Sequence, residues 1–250
     1  MVMVIASSQV GYFQSWSSGW ASAGANLDLA KLPSYVNVVV VSFVKPDCTY
    51  TKGSLSLAGT GLQFSSSGSV VRDAIAALKA RNPNTRVLLA VGGATYTNFG
   101  AMNTRCIKDM VDDFGFDGAD LDYEPAAACA IGSGGIVTSC PTDADSVATA
   151  AALRAALPKG QYILSTATFH VGMYGTSAFP TTTSLPASSY SGINLAMARS
   201  SAGQQLDLIN IMVRRVFLGS VLSGRWAFLP GCLPACLLAG RMCDCCRADV

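Results

Sequence analysis

Asp117-Gly118-Ala119-Asp120-Leu121-Asp122-Tyr123-Glu124 is the stretch whose reading decides the fold. It is apolar and strand-like apart from its acids. In a strand, residues two apart share a face at a spacing of about 6–7 Å. Asp120, Asp122 and Glu124 are therefore expected to project together, with Ala119, Leu121 and Tyr123 on the other face. Asp117 is out of phase and is expected to bond backbone amides at the strand's start. Three carboxylates in one semi-buried column cannot all ionise cheaply, so protons must be shared, with the outermost group, Glu124, pushed toward its protonated form at neutral pH. A carboxylic acid held neutral at working pH is a general acid. Fourteen of the fifteen acidic residues are Asp, and Glu124 is the only glutamate. A chain that avoids Glu elsewhere and places one at the end of an apolar segment is expected to use it, because a buried carboxylate is costly unless paired or functional.

Outward from this stretch, apolar runs alternate with helical patterns. Strands are expected over 2–13, 36–44, 86–92, 116–124, 161–169 and 206–213, all near-continuous Val/Ile/Leu/Ala runs of the kind found in parallel sheets covered by helices. Helices are expected over 69–81, with Val70, Val71, Ala74, Ile75, Ala77 and Leu78 on one face, and over 143–157, which opens at Asp143 and stops at Pro158. Repeated βα units mean a doubly wound sheet or a (β/α)8 barrel. Two features favour the barrel. The acids sit at the C-terminal end of the fourth strand, where barrel enzymes place their chemistry. No Gly-x-Gly-x-x-Gly follows the first strand, and Gly132-Ser-Gly134-Gly135 lies in a loop after the fourth, which suits no phosphate cradle.

Composition narrows the function further. Half the residues are hydrophobic and 13% charged, which fits a large α/β core and excludes disorder. A net charge of +2 implies neither nucleic acid nor an anionic membrane as partner. Four cysteines, Cys48, Cys106, Cys129 and Cys140, are scattered through the first part and suit either disulfides of a secreted protein or buried thiols; Cys129 and Cys140 would close a short loop. The other five fall in the last 19 residues. No signal peptide is visible in Met-Val-Met-Val-Ile-Ala, the opening of the chain. The character changes after Val213. Residues 214–250 are rich in Arg and Cys, hold no Lys and lack βα periodicity. The apolar run 216–240 is broken by Arg225, Pro230 and Pro234, so no membrane span is expected. Cys243-Asp-Cys-Cys246 lacks the spacing of a zinc site, and no metal or cofactor is expected. Two units follow: a domain over 1–213 and an unrelated tail over 214–250, as a frameshift or unspliced segment would produce.

The acidic stretch resembles the Asp-x-x-Asp-x-Asp-x-Glu signature of the family 18 glycoside hydrolases, the chitinase family. The resemblance runs over about residues 8–213. Gly11-Tyr-Phe-Gln-Ser-Trp16 is similar to the family's first strand, and Val41-Ser-Phe43 to its second. Ala90-Val-Gly92-Gly93 sits where the family has Ser-x-Gly-Gly, with Ala replacing Ser. Leu208-Ile-Asn-Ile-Met212 resembles the sixth strand, which the family ends with Met-x-Tyr-Asp. What this implies is a (β/α)8 barrel, here incomplete at about six βα units, acting on chitin or chitooligosaccharides with no cofactor. Glu124 would protonate the leaving glycosidic oxygen, and the substrate's own N-acetyl oxygen would attack C1. Asp122 would hold the acetamido N–H, and Asp120 would share a proton with Asp122. Tyr12, Phe43, Gly93 and Met212 would line the sugar site, although taken alone Tyr12, Trp16 and Phe43 suit core as well as sugar stacking. The family also implies an extracellular protein. His170 lacks the Ser or Cys elbow that a triad needs.

The pattern breaks where Tyr-Asp is called for and the chain reads Arg214-Arg215. In the family that Tyr bonds the reacting acetamido oxygen. Two other readings therefore stand beside hydrolysis: a non-catalytic chitin-binding lectin on the same fold, against which Glu124 argues, and an inactive truncated product.

Overall fold

The computed structural model describes residues 9–125, 130–131, 137–168 and 196–212. Its centre is one parallel sheet of six strands: β1 (Val10–Gln14), β2 (Val38–Val44), β3 (Arg86–Gly92), β4 (Gly118–Asp122), β7 (Ile163–Thr168) and β8 (Leu208–Ile211). A two-stranded antiparallel hairpin, β5 (Ala130–Ile131) and β6 (Val137–Ser139), is inserted after β4. The spatial order β1-β2-β3-β4-β7-β8 is the chain order, and every pairing is parallel. A doubly wound sheet must reverse its order at a switch point, whereas a barrel adds each strand to the same side. The fold is an incomplete (β/α)8 barrel.

The outer face carries α1 (Gly68–Arg81), α2 (Thr104–Phe114) and α3 (Asp143–Ala156). In α1 the buried stripe is Val71, Ala74, Ile75 and Leu78 at helical spacing, while Val70 and Ala77 are only partly covered. Sequence patterning did not single out α2. It is set by local signals: the Asn103 side chain accepts the Cys106 N–H at 3.0 Å as an N-cap, and Gly115 ends the helix at φ +75°. Between helices and sheet lies the larger core, with Val39, Val41, Leu89, Val91, Ile107, Met110, Leu121 and Leu153 buried. The opposite, inner face carries Val38, Val40, Leu88, Ala90 and Phe43, with Tyr12, Trp16 and Tyr96 packed on them.

The strand expected over 116–124 is shorter than its apolar run, because Phe116 belongs to the outer core and Tyr123-Glu124 continue past the last paired residue. Asp117 does serve the strand's start: its Oδ2 accepts the Val87 N–H at 2.7 Å and its Oδ1 pairs with Lys79 at 2.8 Å. One disulfide joins Cys48, in the loop after β2, to Cys106 in α2. Cys140 is also disulfide-bonded, and Cys129 lies outside the described residues. Beyond them too are most of the expected strand over 2–13, the 132–135 glycine loop, His170 and the tail over 214–250. Among the described residues no helix is long and apolar enough to cross a membrane.

Candidate active site

Register places the acids. Asp120 of β4 stands between Ala90 of β3 and Ser165 of β7, and Asp122 stands beside Gly92. Both are fully buried on the inner face. Ala90 offers Asp120 no hydrogen bond, so its donors come from other strands. Tyr12 Oη donates to Oδ2 at 2.8 Å, Asn210 Nδ2 donates to Oδ1 at 3.0 Å, and the Ser165 hydroxyl makes a short bond to Oδ1. Burial raises the Asp120 carboxyl above its ordinary range, and these three donors oppose the rise by stabilising the charged form. Tyr12 is held well above the usual phenol range by burial and by the Asp120 and Asp122 charges, so it stays a donor.

Asp122 has no such relief. Its Oδ1 is buried without a partner among the described residues. Burial, then the charges of Glu124 and Asp120, push it well above the carboxylate range. Glu124 follows the strand end and is half-buried. Burial raises it too, and the raise is reduced by a hydrogen bond with Asp122 and one from the Ala94 backbone amide. Asp122 acts as the protonated donor in that pair. Glu124 is pushed upward, as the sequence argument expects of the outermost acid, and Asp122, buried between two carboxyls, is pushed up as well.

The glycine pair explains how β3 leaves this room. Gly93 has φ +80°, and a Cβ there would stand 3.0 Å from the Phe43 ring, so only glycine lets the turn lie against that aromatic. Its N–H donates to the Asp122 carbonyl at 2.8 Å, tying the turn after β3 to β4. Phe43 stacks on Trp16 with ring centroids 6.1 Å apart. Met212 follows β8, with its N–H on the Thr168 carbonyl at 2.8 Å, two residues on from the inward Asn210. Tyr12 thus bonds Asp120, Asp122 lies between the charges of Asp120 and Glu124, Gly93 lies against the Phe43 ring, and Met212 is placed by its main chain.

Two residues in this network were not singled out from the sequence, Ser165 and Asn210. Asn210 is the lone polar residue of β8, a signal that marks a buried partner as readily as a break, whereas Ser165 is one of three hydroxyl residues in β7, with Thr166 and Thr168. Which acid each would serve depends on register, and that is fixed only by folding.

The profile of Glycosyl hydrolases family 18 matches residues 8–216. A chitinase of Plasmodium falciparum is 37% identical over 127 residues, covering 46% of this chain and 32% of that protein. Among solved structures, a GH18 chitinase from Pseudoalteromonas aurantia aligns with TM-score 0.48 and 18% identity over 82% of this chain and 67% of that one. A GH18 chitinase from Cycas revoluta in complex with (GlcNAc)3 aligns with TM-score 0.48 and 16% identity, over 81% and 54% respectively. The chain thus spans about a third of the curated relative. With its profile match running from before β1 to beyond β8, the chain belongs to family 18 of the glycosyl hydrolases.

Proposed function

We propose that the chain hydrolyses β-1,4-linked N-acetylglucosamine polymers with retention of configuration, using Glu124 as general acid and then general base. The observation that carries this is the buried Asp120–Asp122–Glu124 column, with Asp122 and Glu124 sharing a proton and Asp122 Oδ1 unpartnered. Three donors favour charge on Asp120. An acetamido N–H arriving at Asp122 Oδ1 would satisfy the orphan atom and stabilise ionised Asp122, sending the shared proton to Glu124. Glu124 then protonates the leaving oxygen. As the family resemblance implies, the acetamido oxygen forms the bond to C1, giving an oxazolinium ion. Water attacks C1 in turn, its proton passes to Glu124, and the sugar leaves with its acetamido group restored. Tyr12 and Asp120 hold the inner end of the column, while Phe43, Gly93 and Met212 line the sugar.

The partner is a chitooligosaccharide or chitin, a neutral polymer suited to a chain of small net charge. The Cys48–Cys106 disulfide, together with the bonded Cys140, favours an oxidising and hence extracellular setting. Glu124→Gln tests the assignment: Gln keeps the shape and loses the transferable proton, so hydrolysis should fall by about 10²–10⁴ while chitooligosaccharide binding persists. A variant keeping more than about a tenth of parental turnover removes Glu124 from the role. A parent that binds without hydrolysing favours the lectin reading.

A further inference from the structure

Among the described residues, three buried side-chain atoms without a hydrogen-bond partner lie toward the C-terminal ends of inner-face strands. They are Gln14 Nε2 on β1, Ser42 Oγ on β2 and Asp122 Oδ1 on β4. Gln14 is 9% and Asp122 1% exposed, too deep for bulk solvent to serve them. Alternation fixes the face of Gln14. Val10 and Tyr12 pack on the inner cluster and Phe13 on the outer core, so Gln14 turns inward.

A contact lower in the sheet fixes its level. Tyr12 Oη donates to Asp120 Oδ2 at 2.8 Å, so β1 and β4 already meet across the inner face there. Both strands run the same way in one parallel sheet. One two-residue step along each, about 6–7 Å, leads from Tyr12 to Gln14 and from Asp120 to Asp122. Gln14 therefore stands across from Asp122, one step nearer the strand ends. β3 runs between them and presents only the Ala90 methyl and the bare Gly92, register partners of Asp120 and Asp122. The register partner of Gln14 is Ser42, and these two leave each other unsatisfied as well.

The facing pair is one donor and one acceptor: an amide nitrogen has only hydrogens to give, and Asp122 Oδ1 has lone pairs to fill. The two are not bonded to each other. A hydroxyl offers both functions from a single atom. A secondary amide offers them on opposite edges, its C=O on one side and its N–H on the other, and so spans a gap too wide for a direct bond. We infer that Gln14 is a specificity-determining residue, its Nε2 donating to the carbonyl oxygen of the acetamido group whose N–H Asp122 Oδ1 accepts. The inference rests on the proposed chitooligosaccharide substrate. Gln14 takes one lone pair of that oxygen and leaves the other for C1. A sugar with a hydroxyl in place of the acetamido group leaves one of the two buried atoms unpaired, the mismatch by which a polar site rejects an analogue.

Gln14→Met keeps the length of the side chain and removes both amide hydrogens. The free protein then buries no unpaired donor at this position, so its melting temperature should equal or exceed the parent's. Affinity for tri-N-acetylchitotriose should fall about tenfold, the scale of leaving one buried acceptor unpaired. A Gln14 that served only the fold would give the opposite result, a lower melting temperature with parental affinity. Parental affinity overturns the inference, and so does a melting temperature that falls together with affinity. The parent gives a second reading that needs no variant: the Gln14 side-chain NH2 cross-peak should move on adding tri-N-acetylchitotriose and stay in place with cellotriose. A cross-peak that ignores a bound trimer, or moves equally with both sugars, overturns this inference and leaves the role of Glu124 standing. A parent that binds no trimer overturns the chitooligosaccharide reading, and this inference with it.

Discussion

Asn210 Nδ2 lies 3.4 Å from Tyr12 Oη, although the two residues sit on β8 and β1, the opposite edges of the six-stranded sheet. The sheet therefore curls far enough for its outer strands to meet across the inner face, and they meet on Asp120. Each edge contributes one donor, at 2.8 Å from Tyr12 and 3.0 Å from Asn210. The same acid that the sequence placed in a catalytic column is thus a tie between strands that share no backbone bond.

Tyr12→Phe breaks that tie on one side. Asp120 loses a donor to its charged form, its carboxyl rises further, and the shared proton is drawn inward, away from Glu124. A hydrogen bond to a charged group is worth about 1.5–3 kcal/mol. We expect kcat on a chitobiose reporter to fall about 10- to 100-fold with KM changed by less than about threefold. A variant with parental kcat would mean that Asp120 does not govern the proton.

The strand order, the helices over 68–81 and 143–156 and the acidic column were legible because each rests on local periodicity. Val71, Ala74, Ile75 and Leu78 announce their helix, and alternation along β4 puts Asp120 and Asp122 on one face. The α2 helix was equally legible in hindsight, from Asn103, Gly115 and the Ile107-Met110-Val111-Phe114 spacing. What sequence could not yield was the partner set. Ser165 serves Asp120 because β7 pairs in the register Asp120↔Ser165, and the Gly93 N–H reaches the Asp122 carbonyl because the turn after β3 passes beside it. Both are consequences of long-range packing. The disulfide was left open for the same reason, since Cys48 and Cys106 are 58 residues apart and only the fold brings them together.

Asp122→Asn should stabilise the protein while damaging its chemistry. Asp122 is raised well above its ordinary value by burial and by its acidic neighbours. A group with a raised folded pKa contributes stability below its unfolded pKa, and that contribution is lost as pH rises through the folded value. At pH 8 the parent thus carries a strained carboxyl that Asn does not. The variant should melt several degrees higher there, at roughly 2–4 °C per kcal/mol for a domain of this size, and the gap should close by about pH 4. Equal melting points at pH 8 would show that Asp122 is not the strained member of the column.

Removing the Cys48–Cys106 disulfide should cost stability without touching the column. Both sulfurs are buried, and the bond closes a 58-residue separation between the loop after β2 and α2. The chain-entropy model gives about 4 kcal/mol for a loop of that length. In urea unfolding the paired Cys→Ala variant should be less stable than the parent by about this amount. An unchanged stability would place the anchoring of the loop in other contacts, such as Tyr50 Oη on Asp113 Oδ2 at 2.8 Å.

Arg154 forms a staple at the other end of the strands. It is 8% exposed, and its guanidinium donates to the carbonyls of Leu157, Tyr162 and Gln205 and to Asp207 Oδ2 at 2.6 Å. The same carboxylate oxygen accepts the Leu164 N–H at 2.9 Å, so one ion pair joins α3, β7 and the start of β8. Arg154→Met removes four hydrogen bonds, but Asp207 is exposed and keeps Lys159 at 4.0 Å, so a loss of about 1–3 kcal/mol is expected in chemical denaturation. Asp207→Asn, which keeps an acceptor, should cost less. The reverse ranking would move the staple's strength from the guanidinium to the acid.

The geometry of the column also predicts which sugars turn over. Retaining enzymes that use two carboxylates hold them about 5–5.5 Å apart on opposite sides of the scissile bond, and inverting ones about 6.5–9.5 Å apart. Asp122 and Glu124 are hydrogen-bonded to each other, and Asp120 lies deeper still with its oxygens taken by Tyr12, Ser165 and Asn210. On the proposed reading both Asp side chains are engaged within the column and neither attacks C1. The nucleophile then comes with the substrate, and the orphan Asp122 Oδ1 is where an acetamido N–H would orient it. Chitooligosaccharides should therefore be cleaved and cellooligosaccharides, which lack the N-acetyl group, should not. A thiazoline analogue of the oxazolinium ion should inhibit at concentrations far below the substrate's KM, because it resembles the charged intermediate rather than the ground state. Cleavage of both sugars at comparable rates would show that a protein carboxylate attacks, and the roles of Asp120 and Asp122 would have to be reassigned.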